Sequence, residues 1–307
     1  MKLQRALCLT AVALAFVVVV MGAYVRLSDA GLGCPDWPFC YGQPVPAEIA
    51  DSHALAKAWK EMGHRYLAGS LGVLLVGLVI GAWRRRRSAL LASAIVLVVV
   101  LQATLGAWTV TMLLKPAIVT AHLIGGMTTL SLLAWLALAQ WPHAPAPDLR
   151  ALRVGAALAL GTVAIQVVLG GWVSANYAAL ACPQLPRCPG PMDYVNAFHV
   201  VRELGQTAQG ELLSFNALRA IHWTHRLFAN VALVAVLFAA WRAWHLERRL
   251  ALLIALLVFA QFALGVANVA LGLPLPLAAA HNAGAALLLL SLVVLNFFAF
   301  RGLRPTW

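Results

Sequence analysis

The chain has 307 residues, of which 63% are hydrophobic and 10% are charged, and its mean hydropathy is +0.86. This composition excludes a soluble globular domain and indicates an integral membrane protein. The formal net charge is +12, but the Arg residues flank apolar runs and do not form a basic surface interleaved with aromatic side chains. The basic residues therefore indicate membrane topology, and no nucleic-acid partner is expected.

Eight apolar runs are long enough to cross a bilayer, which takes about 20 residues per helix. The first run follows Lys2 and Arg5 and is longer than the apolar core of a cleaved signal peptide, so we interpret it as the first span. The runs cover residues 6–26, 63–83, 89–112, 117–139, 151–175, 217–241, 249–271 and 277–300.

The distribution of basic residues predicts the orientation of these spans. An even number of spans puts both termini on one side, and 13 of the 22 Lys and Arg residues lie at the termini or after the second, fourth and sixth spans. Because basic residues concentrate on the cytoplasmic side, we predict that both termini are cytoplasmic. These residues are Lys2, Arg5, residues 84–87, Arg150, Arg153, Arg242, Arg248, Arg249, Arg301 and Arg304.

Two long loops, at residues 27–62 and 176–216, are predicted on the opposite side of the membrane. They contain four of the five cysteines: Cys34, Cys40, Cys182 and Cys188. Paired cysteines outside the cytoplasm are typical of disulfides. We predict that each loop is closed by one bond, Cys34–Cys40 in the first and Cys182–Cys188 in the second.

The two halves of the chain resemble each other. Equivalent residues follow one another in the same order at nearly constant offsets of 148 to 161 positions: Cys34 and Cys182, Cys40 and Cys188, His64 and His225, Gln102 and Gln261, His122 and His281. Each half contributes four spans, so both halves have the same orientation, as in a parallel repeat about an axis along the membrane normal. We predict an all-α membrane protein of two tandem four-helix bundles, residues 1–143 and 144–307, related by a pseudo-twofold axis.

Four histidines occupy repeat-related positions, within about the first two turns of an even-numbered span: His64, His122, His225 and His281. If the second and fourth spans of a half face each other, their imidazoles meet across a gap, as needed to hold haem iron by two axial ligands. A single histidine of this kind more often hydrogen-bonds a neighbouring helix, but the fourfold pattern favours a cofactor. Each pair lacks further zinc ligands, and the absence of Cys-x-x-Cys-His excludes covalently attached haem.

The residues beside these histidines differ between the halves. Arg65 and Arg226 each follow a histidine and are predicted to contact haem propionates. Three residues before the histidine, the first half has Glu61 and the second has His222. This difference indicates a reactive first half and a redox relay in the second. The role of His222 stays open, because it could replace His225 as a ligand, although the repeat and Arg226 favour His225.

Glu61 is the predicted catalytic residue. It shares a helix face with His64, so its carboxylate is placed to exchange protons with a molecule bound at that histidine. The competing interpretation is a structural acid that pairs with Lys60 or Arg65 near a helix start.

These motifs resemble those of the haem A synthase family over nearly the whole chain. The loop Gly31-Leu32-Gly33-Cys34-Pro35-Asp36-Trp37-Pro38-Phe39-Cys40-Tyr41-Gly42-Gln43 is similar to its cysteine loop, and residues 61–65 match its Glu-x-x-His-Arg motif. The remaining site residues fall where the family has its other histidines: His122, His225 with Arg226, and His281. The cysteine spacing varies in the family, and His222 has no place in its motif.

The resemblance implies a bacterial inner-membrane enzyme that oxidises a methyl group of haem O to a formyl group by successive hydroxylations. Haem O would lie between His64 and His122, and a resident haem b between His225 and His281. The sites would lie toward the outer face, and the product, haem A, would serve cytochrome c oxidase assembly. Haem O synthase and oxidase assembly factors are the expected protein partners, and the electron donor is not identified.

Two other functions agree with the same residues. A two-haem cytochrome that carries electrons from quinol would use both histidine pairs but would not need Glu61. A non-enzymatic haem carrier or assembly protein would exchange haem freely in both halves.

Overall fold

A computed structural model describes residues 2–46, 49, 51–84, 86 and 88–304. In these ranges eight helices are long and apolar enough to cross a membrane, which confirms the predicted all-α membrane architecture. They are α1 (Lys2–Leu27), α2 (Ser52–Arg84), α3 (Ala89–Thr111), α4 (Pro116–Leu138), α5 (Arg153–Ala175), α7 (Phe215–Ala243), α8 (Arg248–Ala270) and α9 (Leu275–Arg301). A short helix, α6 (Tyr194–Ala197), lies in the second long loop. Arg85 and Arg87 of the predicted cytoplasmic link lie outside the described residues.

The predicted start of the second span is wrong, because α2 begins at Ser52 and not at residue 63. The added segment contains three Ala and two Lys, which favour a helix even though Lys57, Lys60 and Glu61 interrupt the apolar run. His64 therefore lies well inside α2 and not within its first two turns. The first long loop is correspondingly shorter than predicted.

The link between the halves is tied to the C-terminal end of the chain. Strand β1 (Ala144–Pro145) pairs antiparallel with β2 (Leu303–Arg304), and the Ala146 N–H donates to the Gly302 carbonyl at 2.8 Å. A 3₁₀ helix at Pro147–Leu152 then leads into α5. This link joins the first bundle to the far end of the second.

The spans of each half pack as a ring. In the first half α1 contacts α2, α2 contacts α3, α3 contacts α4 and α4 contacts α1; α5, α7, α8 and α9 repeat this order. The halves meet where α4 packs against α9, with α1 on α9 and α4 on α5 at either side. Exchanging the halves converts each of these contacts into another, which supports the predicted parallel repeat.

Small residues line the buried helix contacts. Ala11, Ala15, Ala156, Ala159 and Ala286 are all buried, and they allow backbones to approach closely. Close packing matters in a bilayer because lipid removes most of the hydrophobic force between helices. Among the described spans α9 is the most enclosed, with 61% of an 18-residue stretch buried, because it contacts helices of both bundles.

Candidate functional site

Each of the four predicted ligands packs against a glycine of the preceding span. A Cβ placed on Gly22 of α1 would lie 2.9 Å from the imidazole Cε1 of His64 on α2. The other pairs show the same approach at 3.1 to 3.2 Å: Gly106 with His122, Gly170 with His225, and Gly265 with His281. A side chain on Gly22 would force the imidazole to move, and a side chain on any of the other three glycines would require its imidazole to shift by a few tenths of an ångström.

A glutamine precedes three of these four glycines by one helical turn. The Gln102 side chain donates to the His122 carbonyl at 2.6 Å, and the Gln166 Nε2 lies 3.1 Å from Nδ1 of His225. The Gln261 Nε2 lies 3.3 Å from Nε2 of His281. At the equivalent place in α1 the chain has Val18. The Gln-x-x-x-Gly spacing was visible in the sequence, but its contact with the histidines was not.

The first half encloses a cavity of about 570 Å³, which lies within the usual size range of small-molecule sites. His64, His122, Glu61 and Arg65 line it, so the structure brings together the predicted ligands and the predicted catalytic residue. The Nδ1 atoms of both histidines are buried and have no hydrogen-bond partner within the described ranges. A cavity lined by two imidazoles, each with an unpartnered ring nitrogen, fits a ligand held by those imidazoles.

The second half brings His225 and His281 close enough to interact electrostatically. The Nδ1 atom of His281 is buried and has no hydrogen-bond partner in the described part of the chain. Gly170, which packs against the His225 ring, also lines the cavity of the first half. One glycine therefore separates the first-half cavity from an imidazole of the second half.

The structure contains disulfides between the predicted partners. Cys34 and Cys40 have Cα atoms 4.7 Å apart, and Cys182 and Cys188 have Cα atoms 5.1 Å apart. Trp37, inside the first disulfide loop, lines the cavity, so the loop covers one end of the site.

Asp36 organises the first disulfide loop. Its carboxylate accepts the N–H groups of Tyr41 at 2.6 Å and Gly42 at 2.8 Å. Desolvation is the largest single effect and acts to raise the pKa of Asp36, but these two N–H groups and the nearby Arg65 together outweigh it, and the pKa lies below its usual value. The carboxylate is therefore charged near neutral pH and holds the loop closed.

Glu61 and His222 occupy the same place in the two halves. Glu61 is 4% exposed, and its Oε2 accepts the Cys34 N–H at 2.8 Å. His222 is 5% exposed, and its Nδ1 accepts the Cys182 N–H at 3.3 Å. Both residues therefore anchor the start of a disulfide loop, a role for His222 that the sequence left open. Only the first half has a carboxylate there.

The arginine after each predicted ligand also holds a disulfide loop. Arg65 forms an ion pair with Glu61 at 2.5 Å and donates to the Phe39 carbonyl at 2.7 Å. Arg226 donates to the Cys182 carbonyl at 2.6 Å and to the Gln184 carbonyl at 2.8 Å. These contacts join each loop to the helix that carries the histidine. The predicted contacts with haem propionates stay a prediction.

The halves are also bonded to each other beside the cavity. Arg26, which lines the cavity, donates to the Ser174 carbonyl at 2.8 Å and lies 3.8 Å from the Tyr177 ring centroid. Lys115 and Glu203 form an ion pair at 2.7 Å between the two halves. The sequence offered no signal for these pairs beyond their charge.

The COX15-CtaA family model, described as cytochrome oxidase assembly protein, matches residues 5–293 of the chain. The chain belongs to this family. It is 41% identical to a heme A synthase of Shewanella oneidensis, over 92% of each chain. It is 32% identical to a heme A synthase of Caulobacter vibrioides, over 95% of this chain and 94% of the relative. The COX15-CtaA match covers both bundles and all four histidines of the site.

Proposed function

We propose that this protein is a haem A synthase that oxidises a methyl group of haem O to a formyl group by successive hydroxylations. The product, haem A, serves cytochrome c oxidase. The observation that carries the proposal is the first-half cavity, where His64, His122 and Glu61 line one space of about 570 Å³. Family membership and the names of the similar proteins support the same reaction.

The two halves hold different haems in this proposal. Residues 1–143 bind haem O as substrate between His64 and His122, and residues 144–307 bind a resident haem b between His225 and His281. These residues fit haem, because each pair consists of two imidazoles that pack against glycines. Three of the four histidines are also contacted by a glutamine that lies one helical turn before the glycine. Bound haem b supplies one-electron redox chemistry to the first-half site.

Glu61 has two roles in this proposal. Its Oε2 anchors the disulfide loop through the Cys34 N–H, as His222 does in the second half. Its carboxylate also lines the cavity and exchanges a proton at the reacting methyl group or orients the hydroxylated substrate. Arg65 and Arg226 pair with haem propionates in addition to holding their loops. Glu61 and His222 share the anchoring role, and Glu61 differs from His222 in its negative charge.

We place the protein in the bacterial cytoplasmic membrane, with both termini cytoplasmic and the haem sites toward the outer face. The arginines at the ends of α7 and α9 and at the start of α8 support this orientation, as does the presence of disulfides in the loops of the other side. Haem O arrives from a haem O synthase, and haem A leaves to oxidase assembly factors.

The test is coexpression with a haem O synthase in a host that makes no haem A, followed by haem extraction and mass spectrometry. The wild-type protein is expected to yield haem A, and His122→Ala is expected to leave haem O. His245→Ala is the matched control, because His245 is exposed and lies beyond the end of α7 that is opposite to His225. A wild-type extract that contains haem b and haem O without haem A or hydroxylated haem contradicts the proposal and favours a cytochrome or a haem carrier.

A further inference from the structure

Three glycines on α2 leave space that no side chain uses, and two of them line the first-half cavity. Gly69 and Gly72 line the first-half cavity, and a Cβ on either would meet no atom within 4 Å. They differ in this respect from Gly22, whose Cβ would strike the His64 ring. Glycine weakens a helix interior relative to alanine, so helix packing does not explain Gly69 and Gly72. They widen the cavity.

The widened part lies between α2 and α3. Of the cavity-lining residues in the described spans, the exposed ones are Tyr66 and Gly69 on α2 and Ala103 on α3. These two helices are neighbours in the ring of the first half. The cavity therefore opens sideways between two membrane-spanning helices, through a slot defined here by Gly69, Gly72 and Ala103.

The second half has larger side chains at the equivalent positions. At the offsets of the repeat, Gly69 corresponds to Asn230, Gly72 to Leu233 and Ala103 to Phe262. Leu233 packs against the main apolar core. Two of the three small residues are thus replaced by bulky apolar ones, so the slot is particular to the half proposed to bind substrate.

We propose that the slot binds the isoprenoid chain of haem O and connects the first-half cavity with the lipid. This inference rests on the proposed function. Haem O carries a long apolar isoprenoid chain that haem b lacks, and an apolar slot open to lipid matches that difference. His64 and His122 line the same cavity, and each has a buried Nδ1 atom without a hydrogen-bond partner in the described ranges, which points independently to a ligand there.

The test places the residues of the second half at the equivalent positions of the slot. Gly72→Leu and Ala103→Phe are made singly and together, and purified protein in lipid nanodiscs is titrated with haem O and with haem b by absorbance. The double variant is expected to bind haem O at least about tenfold more weakly, with haem b affinity within about threefold of wild type. Gly77→Leu is the matched control, because Gly77 is on the same helix, has equally open space and does not line the cavity.

Three results overturn the inference. They are unchanged haem O affinity in the double variant, an equal loss for haem O and haem b, and an equal loss in Gly77→Leu. The equal loss for both haems would mean that the slot holds a lipid chain or only closes the cavity. If the larger variants do not fold, Gly72→Ala takes their place, because alanine is tolerated in a helix. It is expected to weaken haem O binding selectively, but by a smaller factor than the double variant. If the double variant loses haem O binding selectively and the wild-type protein makes no haem A, the slot is upheld and the proposed function is rejected.

Discussion

Replacing Glu61 by His separates its anchoring role from its catalytic role, because the second half already has His222 at that place. In Glu61→His the imidazole is expected to accept the Cys34 N–H, as His222 accepts the Cys182 N–H at 3.3 Å. The loop anchor, worth about 1 kcal/mol for a neutral hydrogen bond, is then kept. The ion pair with Arg65 is lost, at about 1.5–3 kcal/mol for a hydrogen bond between charged groups.

Glu61→Ala removes both contacts and leaves the Arg65 guanidinium, whose side chain is 14% exposed, without its carboxylate. Breaking a buried pair in this way costs about 3–5 kcal/mol. We therefore expect thermal stability to fall in the order wild type, Glu61→His, Glu61→Ala. The proposed catalytic role predicts that neither variant makes haem A, although Glu61→His keeps its disulfide loop closed.

The assay has three readouts on the same preparations: melting temperature, protection of the amides of residues 34–40 from hydrogen exchange, and the mass of the extracted haem. Glu61→Gln, which keeps the size of the side chain, is expected to retain haem binding and to accumulate haem O or a hydroxylated intermediate. Haem A formation at the wild-type rate in Glu61→His would show that anchoring alone is needed and would refute the catalytic assignment.

Three further predictions concern the second half and the cysteines. His281→Ala removes one proposed axial ligand and is expected to abolish or change the low-spin haem spectrum; an unaltered spectrum in both this variant and His225→Ala would reject the second half as the resident site. Gly265→Ala places a Cβ 3.2 Å from the His281 ring and is expected to shift the haem spectrum. Overpacking is expected to lower the free energy of unfolding by about 1–3 kcal/mol, partly offset by the higher helix propensity of alanine. The control Gly161→Ala, which meets no atom within 4 Å, is expected to leave the spectrum unchanged, and equal spectra for the two would contradict the seating of the ligand. Thiol counting by mass spectrometry is expected to find one free thiol, Cys8, in native protein and five after reduction, whereas five native thiols would exclude both disulfides.

The sequence alone determined the features that depend on local composition. Eight apolar runs predicted the eight spans, because a helix must bury its backbone polar groups in lipid wherever the chain crosses it. The paired cysteines and the four histidines were visible because the repeat conserves their order and offset within one chain. The start of α2 was missed because helix propensity continues past the apolar run into polar residues.

Only the tertiary structure decided how residues from different helices meet. His222 could not be assigned from the sequence, since its partner is the Cys182 N–H, 40 residues away in the chain. The packing of Gly22 on His64 and the slot at Gly69 likewise depend on which faces of neighbouring helices meet. In a bilayer those faces are selected by close van der Waals contact and interhelical hydrogen bonds, and neither can be predicted from a run of apolar residues.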